Sequence, residues 1–229
     1  MGAKRKRFSM PQGKAYTIEQ CHHFNISPAT RELWIAGREF TDGPSETSDI
    51  IEPGVEYGMV TNVLKNLALL RQMSKTEPVT IHLHTKGGEW FQGMAIYDAI
   101  ISMPYRVTII GYAEVRSMSS IIFQAGDRRL IMPNATFMIH EGEVYYSGTP
   151  KQARSAFYFD QRTSEKKMVD IYVQKALGSP RFKGNNAAQI EKQIRAQMEK
   201  KEDVWLTAEE AVEWGFADAI FTNWNEVDG

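Results

Sequence analysis

Val79-Thr-Ile-His-Leu-His-Thr-Lys-Gly-Gly88 reads as a β-strand that runs into a turn made for glycine. Pro78 precedes the run, and its β-branched Val79, Thr80 and Ile81 suit a pleated surface. Gly87 and Gly88 carry no Cβ, so the chain can turn tightly there and lead from strand to helix. A helix is predicted next from Gly93 to Met103, and a second strand from Tyr105 to Gly111. Ser117 to Ala125 then reads as a short helix, and Leu130–Met132 and Thr136–Ile139 as short strands around the turn residues Pro133-Asn134. Strand and helix alternate in the way that builds stacked βαβ units, so the fold class is α/β.

Upstream, Glu32–Ala36 is a short strand closed by Gly37, and Arg38 to Gly54 is rich in Asp, Gly, Pro, Ser and Thr, as a surface loop is. Val60, Val63, Leu64, Leu67 and Leu70 fall at helical spacing, which predicts a helix over Val55–Met73. Downstream, Pro150–Ala176 reads as a long polar helix with a stripe of Ala153, Ala156, Phe157, Met168, Ile171 and Tyr172. Asp160, Arg162, Glu165 and Lys166 interrupt it, leaving too much charge for a helix buried in one chain and too much apolar surface for a free one. A partner chain is therefore expected over it. Gly178-Ser-Pro180 ends this helix, Ala187–Met198 forms another, and Thr207 with Glu210 supplies a capping box for a last helix over Thr207–Trp214.

The 229 residues suffice for one sizeable core. A net charge of −1 gives no whole-molecule field for nucleic acid or an anionic membrane, and neither is expected as a partner. The basic run Lys4-Arg5-Lys6-Arg7 reads as a solvated terminus. Met1-Gly2 is not followed by Ser or Thr at position six, where Lys6 stands, which speaks against myristoylation. No apolar run approaches the length of a membrane span or a signal peptide core. Cys21 is the only cysteine, so no internal disulfide can form, and a cytoplasmic location is expected.

His82 and His84 lie two apart on one face of a strand, but nothing near them in the sequence completes a metal ligand set. His22 and His23, in a polar tail, read as ordinary exposed side chains. Met94, Met118, Met132 and Met138 read as core packing. No Gly-x-x-x-x-Gly-Lys-Ser/Thr loop occurs, so any use of ATP falls to a partner.

A hydroxyl becomes a useful nucleophile when a base takes its proton, a third group holds the base, and N–H groups await the oxyanion. In Gly111-Tyr-Ala-Glu-Val-Arg-Ser117-Met118, the serine stands between a strand end and a helix start. Alone it reads as a helix N-cap. Its company changes that: His140 ends the strand Thr136-Phe-Met-Ile-His140, and Asp203 precedes Val204-Trp-Leu-Thr-Ala-Glu-Glu-Ala211.

These segments, in this order, resemble the family of Clp protease proteolytic subunits (ClpP). The family's Gly-x-Ala-x-Ser-Met stretch leads to Ala-Gly, and Gly126 stands nine residues beyond Ser117 as it requires. Met132-Pro-Asn-Ala135 with Met138-Ile-His140 resembles its Leu-Pro-Asn-Ser and Met-Ile-His, and Asp203–Ala211 is similar to its Asp-x-Phe-Leu-Ser-Ala-x-Glu-Ala. His84-Thr-Lys-Gly87-Gly88 matches its Asn-Ser-Pro-Gly-Gly turn loosely, and Gly93-Met-Ala-Ile-Tyr-Asp98 its next helix well. The resemblance covers about Glu32 to about Ile220.

The resemblance implies stacked ββα (βαβ) units of the ClpP/crotonase type with a protruding helical handle. It divides the chain into a tail (1–31), a first head segment (32–147), the handle (148–203) and a C-terminal head segment (204–229). It implies a serine endopeptidase with Ser117 as nucleophile, His140 as general base and Asp203 orienting the histidine. The amides of Gly88 and Met118 would form the oxyanion hole. No cofactor or metal is implied; the partners implied are polypeptide substrates, further copies in stacked heptameric rings, and an AAA+ unfoldase acting in trans. Two other readings stand beside it: a crotonase-type acyl-CoA enzyme, and a catalytically silent ring or scaffold subunit, for example in phage capsid maturation.

Departures mark a divergent member, and a phage origin is compatible with them. Two extra residues stand between Ala113 and Ser117, so Glu114-Val-Arg116 is expected to reshape the turn below the nucleophile. Glu141-Gly142 replaces the family's Gln-Pro, the loop after Gly37 is long, and Gly178–Lys201 enlarges the handle region.

Overall fold

The structure is a computed structural model, and it describes Cys21, residues 24–36 and residues 54–224. The basic run Lys4–Arg7, His22, His23 and residues 37–53 of the loop region lie outside the described residues.

An eight-stranded sheet runs in the order β1-β2-β3-β4-β5-β8, with β6 on β4 and β7 on β6. A two-residue β1 (Ile26–Ser27) lies antiparallel on β2 (Glu32–Ala36). Parallel pairing then joins β2 to β3 (Val79–Thr85), β3 to β4 (Val107–Arg116) and β4 to β5 (Arg128–Ile131). The crossovers are α1 (Tyr57–Met73), α2 (Trp90–Ile101) and the short α3 (Met118–Phe123). Helix α1 starts after Val55 because that residue pairs with Gly88 in an isolated bridge.

Side chains alternate along a strand, so one face of the sheet collects Leu33, Ile35, Ile81, Leu83 and Ile109, all fully buried. Leu67 and Leu70 of α1, Ile96 of α2 and Ile122 and Phe123 of α3 pack onto them, each burial stabilising by about 1.5–3 kcal/mol. Met94, Met118 and Met138 are buried, as read from the sequence.

Strand β4 corrects the expectation for Glu114–Arg116. These residues form no turn; they are strand, and they pair with β6 (Thr136–Ile139). Residues Thr108–Gly111 pair with β5, and Glu114–Arg116 with β6, with positive φ (32°) at Ala113 between the two runs. The β3–β4 register shifts at the same level. The irregularity lets one strand serve two neighbours and starts a second, smaller layer in which β7 (Val204–Leu206) lies antiparallel on β6.

The predicted long helix is two helices joined by a π-helical turn: α4 (Pro150–Asp160), the turn (Gln161–Glu165) and α5 (Lys166–Ala176). Its stripe divides at that turn. Met168, Ile171 and Tyr172 are buried within this chain, whereas α4 buries nothing and exposes Phe157, Tyr158 and Phe159. A cover is therefore lacking for α4 alone. After the 3₁₀ turn Pro180–Phe182, α6 (Ala187–Lys201) packs back on α5, and Arg195 ties it to Glu165 of the π turn. Then come β7, α7 (Ala208–Glu213) with its Thr207–Glu210 capping box, and β8 (Ala219–Ile220) parallel to β5. No helix among the described residues is long and apolar enough to cross a membrane.

Candidate active site

Sheet register alone brings the three candidate residues together. In the parallel β4–β6 pair Arg116 faces Met138, so the next residue, Ser117, leaves its strand beside the end of β6, where His140 stands. In the antiparallel β6–β7 pair Ile139 faces Val204, which sets His140 across from Asp203 one step further along. The resulting contacts are Ser117 Oγ to His140 Nε2 at 2.8 Å and His140 Nδ1 to Asp203 Oδ1 at 3.2 Å.

Ser117 is the N-cap of α3, yet its side chain makes no capping hydrogen bond. An ordinary N-cap serine accepts from the helix's first N–H groups; this one turns to the imidazole instead. Its backbone sits at φ 54°, ψ −132°, a conformation that costs a non-glycine residue about 1–3 kcal/mol. The surroundings hold it there. The Ser117 N–H donates to Met138 O (3.1 Å), and the Ser117 carbonyl accepts from Ser120 N–H (3.0 Å) and Ser120 Oγ (2.6 Å). Ser119 adds a brace: its hydroxyl accepts from Arg116 N–H (2.8 Å) and donates to Thr85 O (2.6 Å), pinning the end of β3 to the start of α3.

Gly87 has φ 109°, and a Cβ there would lie 2.6 Å from Ser117 Cβ and 2.9 Å from Met118 N. The turn thus touches the serine directly, which the sequence reading, focused on Gly88, had missed. At Gly88 a Cβ would collide with the Val55 backbone. Val55 bonds the Gly87 carbonyl (2.8 Å) and the Glu89 N–H (2.9 Å), which puts the Gly88 N–H on the opposite edge of the chain. Met118 opens α3, so its N–H has no carbonyl one turn back to bond.

Asp203 is held differently. Helix α6 ends at Glu202, whose φ 59° and ψ −70° make a γ-turn closed by Asp203 N–H to Lys201 O (2.8 Å). The turn swings Asp203 out of the helix axis towards His140. Its side chain remains 46% exposed, against 24% for His140.

The remaining polar features are structural. His82 stacks on Trp34 with ring centroids 4.9 Å apart and bonds Tyr112 Oη at 2.9 Å, while His84 is exposed. Among the described residues no group of three His, Cys, Asp or Glu side chains could hold a metal.

A profile of the Clp protease family matches residues 46–224. The chain belongs to the Clp protease family. It is similar to the ATP-dependent Clp protease proteolytic subunit 2 of Thermobifida fusca, with 30% identity over 177 residues, 76% of this chain and 80% of that one. The proteolytic subunit of Leuconostoc citreum is 27% identical over 205 residues, covering 87% of this chain and 96% of its own. That of Streptococcus gordonii is 28% identical over 75% of this chain and 82% of its own. Membership accounts for the α/β architecture.

Proposed function

We propose that the protein is a serine endopeptidase in which Ser117 attacks the peptide carbonyl, His140 carries the proton and Asp203 orients the histidine. One observation carries this reading: the N-cap serine of α3 forgoes its cap and instead meets His140 Nε2 at 2.8 Å. With Nδ1–H donated to Asp203, Nε2 is left unprotonated and takes the Oγ proton as the C–O bond forms. The oxyanion is stabilised by the N–H groups of Gly88 and Met118. His140 then returns the proton to the leaving amine, and a water, deprotonated by the same nitrogen, releases the acyl chain from Ser117. An extended substrate would pair with the exposed edge beside the Gly87–Gly88 turn.

Assembly is part of the proposal. The uncovered aromatics Phe157, Tyr158 and Phe159 favour a second copy against α4, and the family resemblance makes the assembly a pair of stacked heptameric rings enclosing the sites. The relatives' names specify an ATP-dependent protease, and this chain has no phosphate-binding loop, so an AAA+ unfoldase in trans would supply the ATP step. A cytoplasmic setting agrees with the single cysteine.

The acyl-CoA reading needs glycine amides alone and leaves the Ser117–His140–Asp203 contacts without a role. A silent subunit leaves the strained Ser117 backbone equally unexplained. Hydrolysis of fluorogenic peptides by the parent and by Ser117→Ala tests the proposal. Activity lost with the hydroxyl supports it, and equal turnover by both removes Ser117 from the chemistry.

A further inference from the structure

Ser120 and Tyr172 form a chain of hydroxyls that ends on the Ser117 carbonyl. The Ser120 hydroxyl meets the Ser117 carbonyl at 2.6 Å and the Tyr172 hydroxyl at 2.6 Å, and both side chains are buried. The direction of this chain follows from counting protons. A carbonyl can only accept, so Ser120 spends its one hydrogen on Ser117 O, and Tyr172 must be the donor to Ser120 Oγ. Burial raises the Tyr172 pKa far above its ordinary value, so the phenol keeps that proton.

A lone serine bonding the carbonyl three residues back is a common local feature of helices. The tyrosine is not local. It reaches across from α5, 52 residues away, through a buried aromatic cluster in which its ring lies 5.2 Å from that of Phe216. A phenylalanine would fill that space without placing a hydroxyl in the core. The hydroxyl's recorded partner, Ser120, in turn holds the carbonyl of the residue with the strained backbone.

We infer that Tyr172 is a positioning residue: through Ser120 it fixes the Ser117 carbonyl, and with it the backbone angle that aims Ser117 Oγ at His140. Rotation of that peptide would swing Cβ and Oγ together, and the Tyr172–Ser120–Ser117 chain opposes it from the carbonyl side, as Met138 does from the N–H side. Hydrogen bonds in series polarise one another, so the outer one strengthens the inner.

This inference rests on the peptidase reading, and its test separates the two. Peptide hydrolysis, thermal unfolding and sedimentation are measured for the parent, Ser117→Ala, Tyr172→Phe, Ser120→Ala and the Ser120→Ala/Tyr172→Phe pair. An inactive parent, or a parent no better than Ser117→Ala, sinks the peptidase reading. Given an active parent, Tyr172→Phe is expected to lower kcat about threefold at unchanged KM, and Ser120→Ala about tenfold, within the range of one hydrogen bond. Ser120→Ala strands the tyrosine hydroxyl and lowers the unfolding temperature; the double variant strands nothing, so its unfolding temperature returns towards the parent's. Its kcat is expected to stay about tenfold down, because the second donor to the Ser117 carbonyl is still missing. A double variant with the parent's kcat, or kcat values that simply follow the unfolding temperatures, would reduce the pair to ordinary core packing and overturn the inference.

Discussion

Ser117, the proposed nucleophile, and the Asp203 carboxylate are held by different parts of the molecule and to different degrees. Ser117 is enclosed by its neighbours: β6 bonds its N–H, α3 its carbonyl, and the Gly87 turn lies so close that a Cβ there would meet its Cβ. Asp203 is delivered from outside by the last turn of α6, its side chain is half exposed, and one contact of 3.2 Å joins it to the imidazole. A single hydrogen bond of this kind contributes about 0.5–1.5 kcal/mol, so it fixes the carboxylate less firmly than the several bonds that hold Ser117. The nucleophile's geometry is thus a property of the folded subunit. The carboxylate's depends on how the end of α6 is seated.

The largest expected effects fall on the enclosed half. Ser117→Ala removes the attacking oxygen and should lower peptide hydrolysis by about 10⁴-fold or more with unfolding and sedimentation unchanged. A residual rate near the parent's would place the nucleophile elsewhere. Asp203→Asn should cost less, about 10²–10³-fold in kcat, because a half-exposed aspartate orients the base and transfers no proton. A loss equal to that of Ser117→Ala would show that the two halves are held alike and dissolve the contrast.

Gly87→Ala sharpens the comparison without removing a reactive atom. The new Cβ would press on Ser117 Cβ, and a displacement of about 1 Å at a nucleophile lowers kcat about 10²-fold. Normal turnover in a folded Gly87→Ala variant would mean that the turn yields and does not define the site. A smaller effect is expected from the arm. Replacing Phe157 and Phe159 with Asp should shift sedimentation to smaller particles and reduce hydrolysis several-fold, if the second copy proposed against these exposed aromatics steadies the seat of Asp203. Full activity in the dissociated form would uncouple the arm from the site. The smallest effect belongs to Glu202→Gly, which relieves a positive φ and should stabilise by about 1 kcal/mol, seen as about 2–4 °C in thermal unfolding. A lower melting temperature would assign Glu202 a contact that outweighs the strain.

The same division governs what the sequence made legible. Strand β3, helix α1 and the return through Val204–Leu206 follow from local spacing, because period and glycine placement are properties of short segments. Ser117, His140 and Asp203 were legible through the order of their motifs, and the structure brings them into contact. The fate of Glu114–Arg116 was not, since whether two additional residues make a turn or continue a strand is decided by β6, which lies beyond them in the chain. The burial of Met168, Ile171 and Tyr172 likewise depends on where α5 lands on the head, and a helical stripe does not reveal which half of it finds a core. The closeness of Gly87 to Ser117 is not legible, because it is a through-space approach and a pair of adjacent glycines does not say which of them makes it.

The proposed activation of Ser117 as a nucleophile by His140 is read directly by a serine-directed fluorophosphonate. The parent protein is treated with the probe, digested, and the modified residue located by mass spectrometry, with His140→Ala and Ser117→Ala treated in parallel. One adduct is expected, on the peptide carrying Ser117, formed at least about 10²-fold more slowly in His140→Ala and absent from Ser117→Ala. An unlabelled parent, or an adduct on another serine that persists in Ser117→Ala, would contradict it.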